Sequence, residues 1–277
     1  MPTIAYIADT HINSTLGVLK PRVHLDDGGS YHASPLQKEL WAAFNVYCEQ
    51  VDKLPKPLIT VHGGDLGELD TKKRSNQIVS ANKATIQAMI IDTLEPLINI
   101  SDHVIFIRGT LAHTGKSSWL EEAIAKDIDI SIPSTDTQSH YHFRATIDGV
   151  RCDFTHHAPM GRKPWTEKKA AIDIGEVILN RYKVDMDDLP PNIVGRSHNH
   201  RYADSGNNFW RNDMFVLCTR CWQGKTEYVH RLGKENDVPD IGGHAFIIDN
   251  GEYQFKDYPF KFREGRRYSK LWNSISL

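Results

Sequence analysis

Five short clusters bring together the histidines and aspartates whose spacing could do chemistry: Asp9-Thr10-His11, Gly63-Gly64-Asp65, Arg108 to His113, His156-His157, and Ser197 to His200. Imidazole nitrogen and carboxylate oxygen together suit Zn, Fe and Mn. On an extended segment, side chains two apart point the same way, so Asp9 would align with His11, and His198 with His200. Gly63, Gly64 and Gly109 let the chain turn sharply beside such a site. Two metals about 3.5–4 Å apart would stabilise the attacking and leaving oxygens of an in-line phosphoryl displacement. The chemistry implied is metal-assisted hydrolysis of a phosphate ester. Each fragment alone is a weak signal. An Asp-x-His pair commonly lies on the surface, and a Gly-Asp after a strand is commonly a turn. Their combined order and placement argue for a site.

The elements that must position these clusters are visible in the hydrophobic pattern. Short apolar, β-branched runs at Thr3–Ala8, Leu58–Val61, Val104–Ile107, Val150–Thr155 and Asn192–Val194 read as buried strands. Each ends in one of the clusters. In open α/β sheets, sites form beyond the carboxyl ends of strands, so the clusters can converge. Ser34-Pro35-Leu36-Gln37 carries the N-cap, N1 proline and N3 glutamine of a helix start. Leu36, Leu40, Phe44, Tyr47 and Val51 then recur at helical spacing. Gln77 to Ile98, ending around Pro96, Ser117 to Lys126, and Thr166 to Tyr182 are further helices. Alternating strands and helices predict a layered α/β fold. The chain becomes β-rich from about residue 205, with Met214–Cys218, His244–Asp249 and Tyr253–Phe255 as strands and Asp249-Asn250-Gly251 as a hairpin signal. These strands are expected to pack onto the same core, making residues 1–277 a single domain.

The bulk numbers exclude several classes. The 277 residues carry 40% hydrophobic and 25% charged residues, as in an ordinary globular protein. A formal net charge of -2 is no polycation, although a local basic patch remains compatible with it. No apolar run approaches the roughly 18 residues needed to span a bilayer, and the N-terminus lacks a signal-peptide pattern. Cys48, Cys152, Cys218 and Cys221 are too few and scattered for a disulfide framework, so a reducing, cytoplasmic setting is expected. Fourteen histidines is a high count and asks for a chemical explanation.

The series resembles the calcineurin-like metallophosphoesterase superfamily, whose motifs run D-x-H, G-D, G-N-H-D/E, H and G-H-x-H. The match spans residue 3 to about 202, in a divergent style similar to members from bacteriophage genomes. The resemblance implies a two-sheet α/β sandwich flanked by helices. It implies that Asp9, His11 and His200 bind a first metal and that Asp65 bridges to a second. His198 and either His156 or His157, with His157 slightly favoured, would complete the second site. His113 would protonate the leaving group or steady transition-state charge. The cofactors would be two divalent ions, Mn foremost, with Zn, Fe or Ni also suited. An infected host cell would be the setting of a phage member.

The chain departs from the family at two places. The asparagine of the third motif, a second-metal ligand, has no counterpart; Thr110 and Leu111 stand there, and His113 lies further along. The second site would then be weak, or completed from elsewhere. Ser197 replaces the glycine of G-H-x-H, which is tolerable at a negative φ.

Other features carry less. The stretch Ile12 to Ala33 is either a substrate loop over the metals or a solvated connection. His113 to Ser118 mimics the end of a P-loop, but position 110 is threonine where a glycine is required, so Ser117 or Ser118 as a helix N-cap explains it better. A single Cys218-x2-Cys221 is a poor structural zinc signal. The tail, with Lys261, Arg263, Arg266, Arg267 and Lys270 among Phe260, Phe262, Tyr268 and Trp272, could hold a phosphate backbone or simply cover an aromatic edge.

The expected function is metal-dependent hydrolysis of a phosphodiester, in a nucleotide or nucleic acid, by metal-activated water. Two alternatives stay open. One is a phosphomonoesterase acting on a nucleotide or phosphoprotein. The other is a catalytically weakened protein that binds metal or nucleotide. Oligomeric state is not readable from the sequence.

Overall fold

The computed structural model describes residues 1–69, 77–158, 169–186, 188–231 and 238–261. The strands are β1 (Thr3–Ile7), β2 (Arg22–His24), β3 (Ser30–His32), β4 (Leu58–His62), β5 (His103–Phe106), β6 (Phe143–Ile147), β7 (Val150–Phe154), β8 (Ile193–Arg196), β9 (Ala203–Asp204), β10 (Phe215–Cys218), β11 (Ile241–Asp249) and β12 (Glu252–Phe260). The main helices are α1 (Pro35–Asp52), α2 (Lys83–Ile98), α3 (Leu111–Thr114), α4 (Trp119–Asp127) and α5 (Ala170–Arg181).

Two five-stranded sheets form, in the orders β12-β11-β1-β4-β5 and β6-β7-β8-β10-β9. Side-chain alternation on β1 explains the layering. Ile4 and Tyr6, with Phe246 of the neighbouring β11, face the second sheet, against Phe154, Ile193 and Leu217. Ala5 and Ile7 face outward, into the cluster with α1, α2 and α4. On the far side α5 covers the second sheet through Ala171, Ile174, Val194 and Val216. The result is the two-sheet α/β sandwich flanked by helices that the resemblance implies. No helix among the described residues is long and apolar enough to cross a membrane.

The first helix begins where its capping box predicts. Ser34 Oγ accepts from Gln37 N, and the Gln37 side chain accepts from Ser34 N. Leu40, Phe44, Tyr47 and Val51 on its inner face are all fully buried, each contributing about 1.5–3 kcal/mol. The second helix starts later than expected, at Lys83, because Asn82 caps the Ala84 and Thr85 amides. It continues past Pro96 to Ile98; in the last turn a proline forfeits only one ladder bond. The helix expected from Ser117 starts at Trp119. Ser117 and Ser118 instead take left-handed φ values of 55° and 50°, and Ser118 makes no side-chain cap bond. Ala170–Arg181 falls inside the helix expected from Thr166, a residue outside those described.

The C-terminal strands divide between the sheets. β11 pairs antiparallel with β1, and β10 pairs parallel with β8. The β11–β12 turn uses Asn250 and Gly251 at φ 49° and 86°, as its sequence predicts. Four strands went unread: β6, the two-residue β9, and β2 and β3, which pair as a hairpin. That hairpin lies within the Ile12–Ala33 stretch and docks on the helical layer. Val23 joins the α1/α2 cluster, and Asn82 Nδ2 donates to Asp26 at 3.0 Å.

Register decides where chemistry can happen. Ile7 pairs with His62, and His62 with Phe106, so β1, β4 and β5 end at one level. Phe154 pairs with Gly195 in the second sheet, so β7 and β8 end together too. All five loops leave from the same end of the sandwich.

Candidate metal centre

The five loops meet across the seam between the sheets. Gly63 O, at the end of β4, accepts from Ser197 Oγ at 2.6 Å and lies 2.8 Å from His156 Nδ1. His198 N, from the second sheet, donates to Asp9 Oδ2 at 3.0 Å in the first. Ser197 keeps a negative φ, and its hydroxyl makes one of the bonds that joins the sheets.

Two sets of one aspartate and two histidines lie here, beside a third group able to hold a metal, His11, Glu68 and His113. In the first, Asp9, His11 and His200 converge. His200 Nε2 is 3.4 Å from Asp9 Oδ1 and 3.2 Å from His11 Nε2. In the second, Asp65, His156 and His198 converge. His156 Nε2 is 3.1 Å and His198 Nδ1 3.8 Å from Asp65 Oδ2, with 3.3 Å between the two nitrogens. Asp65 therefore groups with the second set. Of the adjacent pair, His156 is the one whose ring nitrogen lies in a set. His157 is exposed, with its ring centroid 5.1 Å from that of His198, and belongs to neither set. The slight preference for His157 overlooked strand parity. Cys152 and Phe154 face the first sheet, and His156 continues that face.

Backbone conformation, not strand alternation, aims the ligands. Asp9, His11, Asp65, His198 and His200 have φ values of 52°, 42°, 50°, 77° and 54°. The extended-segment reasoning for the Asp-x-His and His-x-His pairs is thus replaced. Each chain leaves its strand and turns through left-handed residues, which curl both side chains inward. Such conformations cost about 1–3 kcal/mol apiece and cluster at functional sites. Gly109 permits a close approach: a Cβ there would stand 2.2 Å from Asp65 N.

Supporting residues fix the ring tautomers. His11 Nδ1 is 3.1 Å and His113 Nδ1 2.7 Å from the same oxygen, Glu68 Oε2. A carboxylate there holds both Nδ1–H groups and leaves His11 Nε2 as a lone pair toward His200. The Gly63 carbonyl does the same for His156. Beneath them His62, fully buried and held neutral mainly by burial at a pKa of about 3, takes a bond from Gly64 N and meets Thr10 Oγ1 at 3.0 Å. Sequence reasoning missed Glu68 and His62. The signal for Glu68 was its place three residues after Asp65; His62 looked like one more strand residue.

Thr110 occupies the third-motif position. Its amide and hydroxyl donate to Asp65 Oδ1 at 2.6 and 3.0 Å. Leu111 points to solvent, 62% exposed. The single turn of α3 takes up the longer spacing and returns His113 over Glu68, where the His113 and His11 rings meet edge-on at 4.6 Å. Behind this loop Glu121 is fully buried. Its Oε1 accepts from Leu66 N at 3.4 Å and Gly109 N at 3.3 Å, while Oε2 accepts nothing. Burial, reinforced by the Asp65 charge, pushes its carboxyl up to about 7.

The donor set fits a divalent cation. Asp9 Oδ1 is buried, accepts no hydrogen bond and faces two imidazole nitrogens. Burial opposes ionisation of Asp9 and Asp65, yet His200 and His156 respectively hold both carboxyls below their usual range. Burial likewise opposes charging His156, but Asp65 raises it to about 9. Protons thus fill the space between the ligands, and a cation would displace them. Cys218 and Cys221 pack in different clusters, on opposite sides of the sandwich, and Cys221 lies beside His200. The basic tail from Phe262 onward lies outside the described residues.

No known family and no curated protein matches the sequence. Among solved structures, a Vps29 single mutant from Entamoeba histolytica is similar at 10% identity and TM-score 0.41, over 94% of this chain and 99% of that one. A metallophosphoesterase from Sphaerobacter thermophilus is similar at 9% identity and TM-score 0.39, over 97% and 93%. A hypothetical protein from Thermus thermophilus is similar at 9% identity and TM-score 0.42, over 93% and 98%. These are likenesses at low superposition, so the chemistry of this chain is read from its own ligand sets.

Proposed function

We propose that this chain is a metal-dependent phosphoesterase that hydrolyses a phosphodiester in a nucleotide or nucleic acid. The observation that carries the reading is the adjacency of two ligand sets, each of two histidines and an aspartate, with His113 held beside them by Glu68. Asp9, His11 and His200 would hold one divalent ion, and Asp65, His156 and His198 another, with Mn the first choice and Zn, Fe or Ni able to substitute. When bound, such ions supply Lewis acidity and lower the pKa of water.

The protein's own groups do the rest. Glu68 holds the Nδ1 side of His113, fixing the ring. Nε2 is then the atom through which His113 would pass a proton to the leaving oxygen. The alcohol that a diester releases departs as an alkoxide oxygen, which this proton would neutralise. Left-handed turns and interloop bonds set the ligands in advance, so little rearrangement accompanies loading.

The test compares bis-p-nitrophenyl phosphate with p-nitrophenyl phosphate in added Mn. Faster cleavage of the monoester would make the chain a phosphomonoesterase. In His113→Asn, metal content should persist and turnover fall by roughly 10²–10⁴. Unchanged turnover removes His113 from the mechanism. Cleavage of no phosphoester in Mn, Zn, Ni or Mg, with a nucleotide still raising Tm, would leave a binding protein.

A further inference from the structure

We infer that the two ligand sets take up metal unequally, the Asp9–His11–His200 set tightly and the Asp65–His156–His198 set weakly, with Thr110 as the residue that sets the difference. This rests on the metallophosphoesterase reading above and gives the weak second site expected from the third motif a cause in the contacts of Thr110.

Three observations separate the sets. The first is the state of the carboxylates. Asp9 Oδ1 is buried, accepts no hydrogen bond and faces imidazole nitrogens at 3.4 and 3.9 Å, so a cation entering there meets no donor already bonded to that oxygen. Asp65 differs. Its Oδ1 accepts both the amide and the hydroxyl of Thr110, and the hydroxyl also stands 3.2 Å from Oδ2. A cation arriving at Oδ2 must compete with a donor already in place.

The second observation is where the Thr110 hydroxyl is not. Thr110 is the N-cap of α3, a position where a threonine normally spends its oxygen on a helix amide. It makes no side-chain cap bond. The hydroxyl has turned to Asp65 instead. A neutral hydroxyl whose proton is committed to a carboxylate is also a poor fourth ligand for Mn or Zn.

The third is pre-organisation. In the first set, His11 is 1% exposed and its ring is locked by Glu68. In the second, His156 is locked by Gly63 O, but His198 is 39% exposed, against 24% for His200 of the first set. The geometry therefore gives one resident ion and one that comes and goes with its free concentration.

The experiment is Mn(II) titration of the chelator-stripped full chain, with free Mn read by its EPR signal. The wild type should bind one Mn per chain tightly and a second at least about tenfold more weakly. Thr110→Asn supplies an amide oxygen and should tighten the second site about tenfold or more. A spin-coupled pair signal should then appear at lower Mn, with the first site unchanged. If Thr110→Asn does not fold, Thr110→Val serves: it removes only the competing donor, and the second site should tighten severalfold. Two equal sites in the wild type, or a second site indifferent to the substitution in a folded variant, would overturn the inference and leave the phosphoesterase reading standing. A wild type that binds no divalent ion overturns both.

Discussion

Glu121 offers a sharp quantitative test of how the loops are held. Its carboxyl lies fully buried behind Asp65, with one oxygen on the Leu66 and Gly109 amides and the other unpartnered. Burial first, and the Asp65 charge second, raise it from an ordinary 4.5 to about 7. Each pKa unit is about 1.36 kcal/mol, so ionising Glu121 in the folded protein costs about 3 kcal/mol relative to the unfolded chain. The sign follows from proton counts. Between pH 4.5 and about 7 the folded state keeps a proton that the unfolded state has lost, so stability falls as pH rises through that window and levels off above it. Glu121→Gln cannot ionise. Its amide places a donor where Oε2 finds no partner, which adds a constant offset. The slope is therefore the readout. In metal-stripped protein, urea midpoints from pH 4.5 to 8 should show the wild type losing about 3 kcal/mol relative to the variant. Parallel stability curves for the two proteins would refute the reasoning.

Two further perturbations follow from the packing. Gly109→Ala puts a Cβ 2.2 Å from Asp65 N and 2.3 Å from its Oδ1, so it should cost about 3 kcal/mol or more and displace the second ligand set; a variant with unchanged Tm and Mn stoichiometry contradicts this. Asp153 is buried between Arg196 at 2.8 Å, Arg144 at 3.0 Å and His142 at 2.8 Å, and these partners, working against burial, hold its carboxyl well below the usual range. Asp153→Asn should lose about 3 kcal/mol at pH 7, because the buried Arg196 loses its counter-ion. Wild-type stability should also fall as pH drops below the usual aspartate range, while the variant's curve stays flatter there. Equal acid sensitivity in the two proteins counts against that account.

The candidate metal-holding residues were legible because each strand announces its end. Leu58 to Val61 is apolar and the next residues are His, Gly, Gly and Asp, so hydrophobic pattern and chemistry change at one point. The α1 start was legible for a similar reason, since its capping box is a local interaction written in adjacent residues. What escaped depends on contacts between segments. Glu68 matters because α3 carries His113 back over it, and nothing in Gly67-Glu68-Leu69 forecasts that return. Glu121 reads as an ordinary first-turn acid of a helix, and only the approach of the Leu66 and Gly109 amides makes it more. The β2–β3 hairpin was hidden by its polar composition, with Arg22, His24, Ser30 and His32 in its paired positions. The choice between His156 and His157 was available in principle, through the inward parity of Cys152 and Phe154, but required knowing which face of β7 met the other sheet.

The left-handed residues of the ligand loops set folding and function against each other. At positions 9, 11, 65, 198 and 200 the backbone favours glycine or asparagine, whereas ligation demands aspartate or histidine. Glycine at several of these places would relax the scaffold while erasing the site. Selection for thermal robustness alone would therefore push this chain toward an inert, more durable sandwich. The ligands persist only under a demand for what they bind, so an inactive descendant of this fold should be recognisable by glycines standing where its aspartates and histidines once stood.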